Sequence, residues 1–260
     1  MTLTLSDGPL AAAAPETVNY EIHGPQHKLL FSPFPRRLRA IFGGETLVDT
    51  DSAMLLHESN ILPVAYLPVS DVRFDMLTKT DHTTHCPFKG DASYWNISVE
   101  GRTSENSVWG YESPTEGVLW LDGYVAMYWD HIDRWFDEDV EVFGHLRDPY
   151  HRVDIRQTSR QVRVSIGGEL VAETTTAQVL SETGFPNRYY IAAGDIETNR
   201  FEKSRTTTHC PYKGDTEYWT FATDHRVEDV AWSYPTPFNE SASIAGRWCF
   251  DGDTVSTHLS

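Results

Sequence analysis

The chain carries Thr-His-Cys-Pro-Phe-Lys-Gly-Asp-Ala-Ser-Tyr-Trp at 84–95 and Thr-His-Cys-Pro-Tyr-Lys-Gly-Asp-Thr-Glu-Tyr-Trp at 208–219, nine of twelve positions identical across an offset of 124 residues. Several of these residue types do chemistry. Four of the five lysines, Lys79, Lys89, Lys203 and Lys213, occupy matched positions, whereas the chain elsewhere uses arginine for its cations. A compact ammonium on a flexible stem suits a carboxylate or phosphate ligand, or a Schiff base where its pKa is lowered. Lys89 and Lys213 are therefore the first candidates, and the alternative for each is a loop lysine in water. Cys86 beside His85, and Cys210 beside His209, suggest a thiolate stabilised by imidazolium. Adjacent residues on a strand face opposite ways, so that pairing requires a turn, and the competing reading is a small buried filler. Glu58 and Glu182 end the apolar runs Met-Leu-Leu-His-Glu and Gln-Val-Leu-Ser-Glu, where a half-sunk carboxylate with a raised pKa would move protons. A solvated Glu at a strand end is the plain alternative. Tyr94 and Tyr218 add hydrogen-bonding phenols, and Trp95 and Trp219 add aromatic walls. His57, His82, His85 and Cys86 resemble part of a zinc set, but Ser181 and Thr206 replace His57 and His82 in the second copy, so no metal is assigned.

The repeat decides the architecture that must position these groups. At the same offset Arg39 meets Arg163, Gly43-Gly44-Glu45 meets Gly167-Gly168-Glu169, Glu58 meets Glu182, Tyr66 meets Tyr190 and Asp71 meets Asp195. After a one-residue gap Trp109 and Tyr111 meet Trp232 and Tyr234, and Gly123 meets Gly246. These matches set an N-terminal arm at 1–35, a first repeat at 36–143, a linker at 144–159 and a second repeat at 160–260. Each Gly-Gly pair reads as a two-residue hairpin turn between β-rich runs. Trp95, Ile97 and Val99 alternate with Asn96 and Ser98, the period of a half-buried strand, which puts Tyr94 and Tyr218 on the opposite face from the tryptophans. One short helix is expected over Asp130 to Asp137, from the stripe Ile132, Trp135 and Phe136. Tyr124 is replaced by Arg247 in the second copy, where no such helix is expected. The acidic run Asp137 to Glu141 reads as a solvated face. The fold class is mainly β: two tandem small antiparallel domains.

Composition narrows the function. A formal charge of −17 repels phosphate backbones, and no compensating basic patch exists, so a nucleic-acid partner is not expected. No segment has the roughly 18 apolar residues of a membrane span. The start of the chain has Asp7 where a signal peptide would carry Lys or Arg. Three cysteines, an odd number, make no disulfide framework and suit a reducing cytoplasm.

The Cys-Pro-aromatic-Lys-Gly core, with Thr84 or Thr208 before it and Tyr after it, together with Val-Ala-Trp-Ser-Tyr-Pro at 230–235, Ile-Ala-Gly-Arg at 244–247 and the linker Asp-Pro-Tyr-His-Arg-Val-Asp, resembles the domain of unknown function 427 family in its tandem form. The resemblance implies a compact domain similar to the β-tent fold, seen also in methionine-R-sulfoxide reductase and the cereblon ligand-binding domain, and implies no settled activity or cofactor. A nucleotidyltransferase label sometimes attached to that family finds no support in these residues, since Asp251-Gly-Asp253 is the nearest approach to paired metal-binding carboxylates and occurs in one copy.

The expected function is a small-molecule pocket in each repeat for a polar or anionic metabolite, floored by the repeated loop. In an enzyme Lys89 or Lys213 would hold substrate, Glu58 or Glu182 would move a proton and Tyr94 or Tyr218 would donate a hydrogen bond, with His85, Cys86, Trp95, His209, Cys210 and Trp219 around the ligand. The alternatives are a tandem binding module without chemistry, gripping a ligand or peptide with avidity, and a purely architectural motif. Equivalent positions in separate repeats should not be cross-linked. Thiol titration of air-equilibrated protein in denaturant is expected to count three free thiols, and a count of one would mark a disulfide.

Overall fold

The computed structural model describes residues 19, 21, 23–59 and 61–260. The chain forms two units that meet in sequence between Asp148 and Pro149, both mainly β. The N-terminal segment compared above with a signal peptide lies outside the described residues.

The first unit runs β1 (Leu29–Pro33), β2 (Leu38–Phe42), β3 (Glu45–Thr50), β4 (Met54–Glu58), β5 (Ile61–Pro68), β6 (Leu77–Cys86), β7 (Gly90–Val99), β8 (Arg102–Gly110), β9 (Tyr124–Met127), β10 (Arg134–Asp137) and β11 (Val140–Val142). A seven-stranded antiparallel sheet has the order β1-β4-β5-β9-β8-β7-β6, and a four-stranded one the order β11-β10-β2-β3. The second unit runs β12 (Val153–Gln157), β13 (Val162–Ile166), β14 (Glu169–Thr174), β15 (Gln178–Glu182), β16 (Arg188–Tyr190), β17 (Phe201–Lys203), β18 (His209–Cys210), β19 (Gly214–Asp215), β20 (Glu217–Phe221), β21 (Val227–Ser233), β22 (Trp248–Phe250) and β23 (Val255–Leu259). Its pieces β12-β15-β16, β17-β20-β21-β22 and β18-β19 follow the strand order of the large sheet. Mutual backbone bonds of 2.8 Å between Ile191 and Trp248 join the first two pieces where β5 pairs with β9 in the first unit.

The hairpins form where the glycines predict. Gly43 and Gly44 have φ of 59° and 82°, and Gly167 and Gly168 have 58° and 87°, the left-handed pair that a type I′ turn requires. Alternation then sorts the side chains. Trp95, Ile97 and Val99 enter one core with Leu38, Ala40 and Leu47, whereas Tyr94 enters a second with Leu56, Tyr66, Tyr111 and Leu121. The second unit repeats the division: Trp219 packs on the core containing Val162, Val164 and Phe221, and Tyr190 and Tyr234 belong to the other core.

Three expectations change. The opening strand of each unit lies outside the repeat bounds of 36 and 160. Leu29–Pro33 pairs with β4 along its whole length, and Val153–Gln157 pairs in the same way with β15, so the arm and the linker each hold a strand. The helix expected over Asp130 to Asp137 is instead a single 3-10 turn, Trp129–His131, followed by β10 against β2. Trp135 and Phe136 point to opposite faces of that strand: Trp135 is buried and stacks on Trp129 at 4.7 Å, while Phe136 lies under Arg39 and Arg134. The second unit lacks only the label of this element, because β23 pairs with β13 at the corresponding edge.

Removing residues 1–35 therefore strips a strand and the buried Phe34 from the first unit. Thermal melting should show the first unit's transition lowered by roughly 10 °C or lost, with the second unit's transition retained. An unchanged melt would mean that β1 contributes nothing.

Candidate functional site

The dodecapeptide folds as a hairpin whose turn is the Cys-Pro-aromatic-Lys segment. The carbonyls of Cys86 and Cys210 each accept the amide of the lysine three residues on, at 3.2 Å, so proline falls at the second position of the turn, where its fixed φ is favourable. Gly90 and Gly214 follow with φ of 103° and 106°, and a Cβ there would lie 3.3 Å from the Ser113 carbonyl or 3.4 Å from that of Thr236. Glycine is thus favoured by conformation in both turns, and a Cβ would also be tight at Gly90. The turn carbonyls of Lys89 and Lys213 accept the amides of Thr115 and Phe238 at 3.1 Å, which fixes the lysine backbone in each unit.

That turn aims its lysine inward. Nζ of Lys89 donates to Oε2 of Glu58 at 2.5 Å, and Nζ of Lys213 donates to Oε2 of Glu182 at 2.8 Å. The other carboxylate oxygen is taken by an imidazole: Nε2 of His27 lies 2.7 Å from Oε1 of Glu58, and Nε2 of His151 lies 2.8 Å from Oε1 of Glu182. The aromatic residue of the turn covers the same imidazole. Phe88 stacks on His27 with centroids 3.8 Å apart, and Tyr212 lies on His151 at 4.3 Å. The residue after each glutamate completes the support. Ser59 Oγ accepts the Lys28 amide at 2.9 Å, Thr183 Oγ1 accepts the Arg152 amide at 3.0 Å, and the Ser59 and Thr183 amides bond back to the same residues' carbonyls. His27 and His151 are in this way held by both neighbouring backbone and ring stacking.

The cluster is largely buried. Lys89 and Lys213 are 8% and 7% exposed and Glu58 is 7% exposed, while the His27 side chain is 21% exposed. Burial acts on Glu182 to raise its pKa, but the bonds from His151 and Lys213 outweigh it and bring the pKa down to about 2. Glu182 is consequently an ionised acceptor and not the proton donor with a raised pKa expected above. The ammoniums are neutralised by the carboxylates, so Lys89 and Lys213 make no free positive spot.

Tyrosines surround each cluster. Tyr94 and Tyr218 share hydrogen bonds with Thr84 at 2.9 Å and Thr208 at 3.0 Å. Burial raises the phenol pKa of Tyr66, Tyr111, Tyr190 and Tyr234, which keeps them protonated as hydrogen-bonding groups. Cys86 packs on the tyrosine core of its unit, as Cys210 does in the other. In the second unit Glu182, Lys213, Cys210, Tyr190, Tyr218, Trp232 and Tyr234 line a cavity of about 350 Å³.

Other sequence candidates lie elsewhere. Trp95 lines a separate cavity of about 270 Å³ with Val69, Phe74, Tyr111 and Tyr124. Trp219 stacks on Trp248 at 4.0 Å in its own core. His85 and His209 pair with Asp91 and Asp215 across the hairpin, at 2.6 and 2.7 Å, and His85 is largely exposed. His57 is buried against Ser32, and His82 lies tilted on Tyr94. Among the described residues no three or more His, Cys, Asp or Glu side chains come together as a metal-binding group. Cys86, Cys210 and Cys249 are free thiols. Burial pushes the Cys249 thiol up to about 12, which leaves it inert.

His27 and His151 are the site residues that sequence reasoning missed. They stand at the same 124-residue offset, but in segments read as arm and linker; extending the repeat comparison a few residues upstream finds them.

The fold and site define a tandem β protein in which each unit encloses one histidine–glutamate–lysine cluster among tyrosines. The sequence profile of the family described as domain of unknown function 427 matches residues 30–138 and 154–259, once in each unit. The chain belongs to that family and carries two copies of its domain. No curated protein matches it significantly.

Breaking the buried pair in the second unit should be costly. Lys213→Met is expected to destabilise that unit by roughly 3–5 kcal/mol, and Lys213→Met with Glu182→Gln by clearly less than the sum of the single changes, because neither charge is then stranded. Denaturant melts of the four proteins measure this. The depressed pKa of Glu182 stabilises the fold above its unfolded value of about 4.5, and that contribution is lost as pH falls toward about 2. Glu182→Gln should accordingly flatten the stability of the second unit between those pH values.

Proposed function

We propose that each unit is a pocket for a small polar metabolite, with the buried cluster as its preorganised polar wall and the tyrosines as its lining. One observation carries this reading. Two units that differ over most of their length both retain a buried carboxylate accepting from a lysine and a histidine, placed by the same three segments. Stability alone is a poor reason for such an arrangement, since apolar residues of similar volume usually serve a core as well or better. Perturbed and buried ionisable groups at the wall of a concave site are a mark of function. Each lysine is engaged by its carboxylate as a hydrogen-bond donor, which favours non-covalent recognition.

Acid–base catalysis at the same cluster is the second reading, and the pinned imidazole favours it. A histidine oriented by a carboxylate is the usual form of a general base working near neutral pH. On this reading His27 or His151 moves the proton, Glu58 or Glu182 orients the ring, and the phenols donate hydrogen bonds to substrate. The three free thiols favour a reducing compartment such as the cytoplasm. Among the described residues no helix is long and apolar enough to cross a membrane.

Wild type and a His27→Asn/His151→Asn double variant, both checked for folding, would be incubated with a small-molecule cell extract and recovered by gel filtration, and bound compounds identified by mass spectrometry. Wild type should retain a compound of a few hundred daltons that it releases unchanged if it only binds, or converts if it catalyses. The variant should retain it at least tenfold less or leave it unconverted. Recovery of no compound by wild type would favour the architectural reading.

A further inference from the structure

The two clusters match, but the walls opposite them do not. Leu56 and Leu180 are equivalent on β4 and β15, and their cross-strand partners are Val64 and Arg188. Trp109 and Trp232 are likewise equivalent, and the partners Ala126 and Cys249 place Tyr128 of the first unit where the second has Asp251. Asn106 and Asp229 share a left-handed bulge position, with φ of 49° and 51°. The second unit has therefore gained three charged side chains around a pocket whose central cluster is unchanged.

We propose that the second cavity binds a small organic anion, a carboxylate or phosphate, and that Arg188 is its anion-recognising residue. The proposal deepens the preceding reading and rests on it. Arg188 lines the 350 Å³ cavity and also a neighbouring one of about 300 Å³. It is preorganised, with its guanidinium carbon 4.9 Å from the centre of the Trp232 ring. Its carboxylate partner is Asp251, through one bond of 2.9 Å from Nη1. Asp251 is 61% exposed while Arg188 is 29% exposed. A carboxylate in water holds such a partner weakly, whereas a ligand anion inside the cavity meets the guanidinium fork with both oxygens.

The probes are 4-hydroxybenzoate, phenyl phosphate and the neutral 4-hydroxybenzamide, each titrated into the full chain by calorimetry. At least one anion should bind wild type tenfold or more tightly than the amide, the tighter anion distinguishing carboxylate from phosphate. Arg188→Val, which copies the first unit, should lose at least tenfold for that anion with the amide unaffected. Asp251→Asn, at an exposed position that does not threaten the fold, should bind the anion more tightly because the competing carboxylate is gone. Anions that bind no better than the amide, or an Asp251→Asn variant that binds them no better than wild type, overturn the proposal. Amide binding that persists in those cases preserves the pocket reading, and absence of all binding removes both.

Discussion

Each unit is organised around one carboxylate that accepts from a lysine through one oxygen and a histidine through the other. In water such a contact is worth little. Buried, it ties together three chain segments that are far apart in sequence: the approach to the first strand, the end of the fourth, and the Cys-Pro-aromatic-Lys turn. Lysine and histidine each stand 31 residues from the glutamate in both units, so the arrangement forms only if every intervening strand finds its register. Loss of any member leaves the others with unsatisfied charge or hydrogen-bonding capacity in a largely buried place. The geometry of the repeated turn follows from this demand. Proline sets its entry, the aromatic residue covers the imidazole, lysine reaches the carboxylate, and glycine turns the chain back where a side chain would meet a carbonyl.

The cluster is held constant between the two units while its surroundings vary. Thr50 with Asp71 and Thr174 with Asp195 are another retained pair, each 2.6 Å long. Around the tyrosines the substitutions change charge: valine to arginine, asparagine to aspartate, and tyrosine to aspartate between the first unit and the second. The strand pairing around these exchanges is equivalent in the two units. The short polar side chains of Asn106 and Asp229, for example, tolerate the same left-handed bulge.

Much of the fold is legible in the residues because local rules act alone there. Gly43-Gly44 and Gly167-Gly168 demand hairpins, and the alternation through Tyr94, Trp95 and Ile97 assigns two faces to β7. The segment at 130–137 misleads because Ile132, Trp135 and Phe136 suit a helical stripe as well as a strand, and pairing with β2, absent from any local reading, decides between them. The glutamates, lysines and tyrosines of the site are visible as repeated, chemically capable types. Their electrostatics are not. Lys89 and Lys213 look like free cations until the partner 31 residues away is known, and Glu58 and Glu182 look like solvated strand ends until the turn closes over them. His27 and His151 lie before the most obvious repeat signals, the Gly-Gly hairpins, and so are missed even though their spacing matches that of every other cluster residue.

Nitrogen-15 NMR of the histidine side chains tests the cluster most directly. His27 and His151 should each show a proton on Nε2 that exchanges slowly with water, in contrast to the exposed His85, and Glu182→Gln should shift the His151 signal alone. Rapidly exchanging Nε2 protons on His27 and His151, or signals indifferent to loss of the glutamate, would contradict the account.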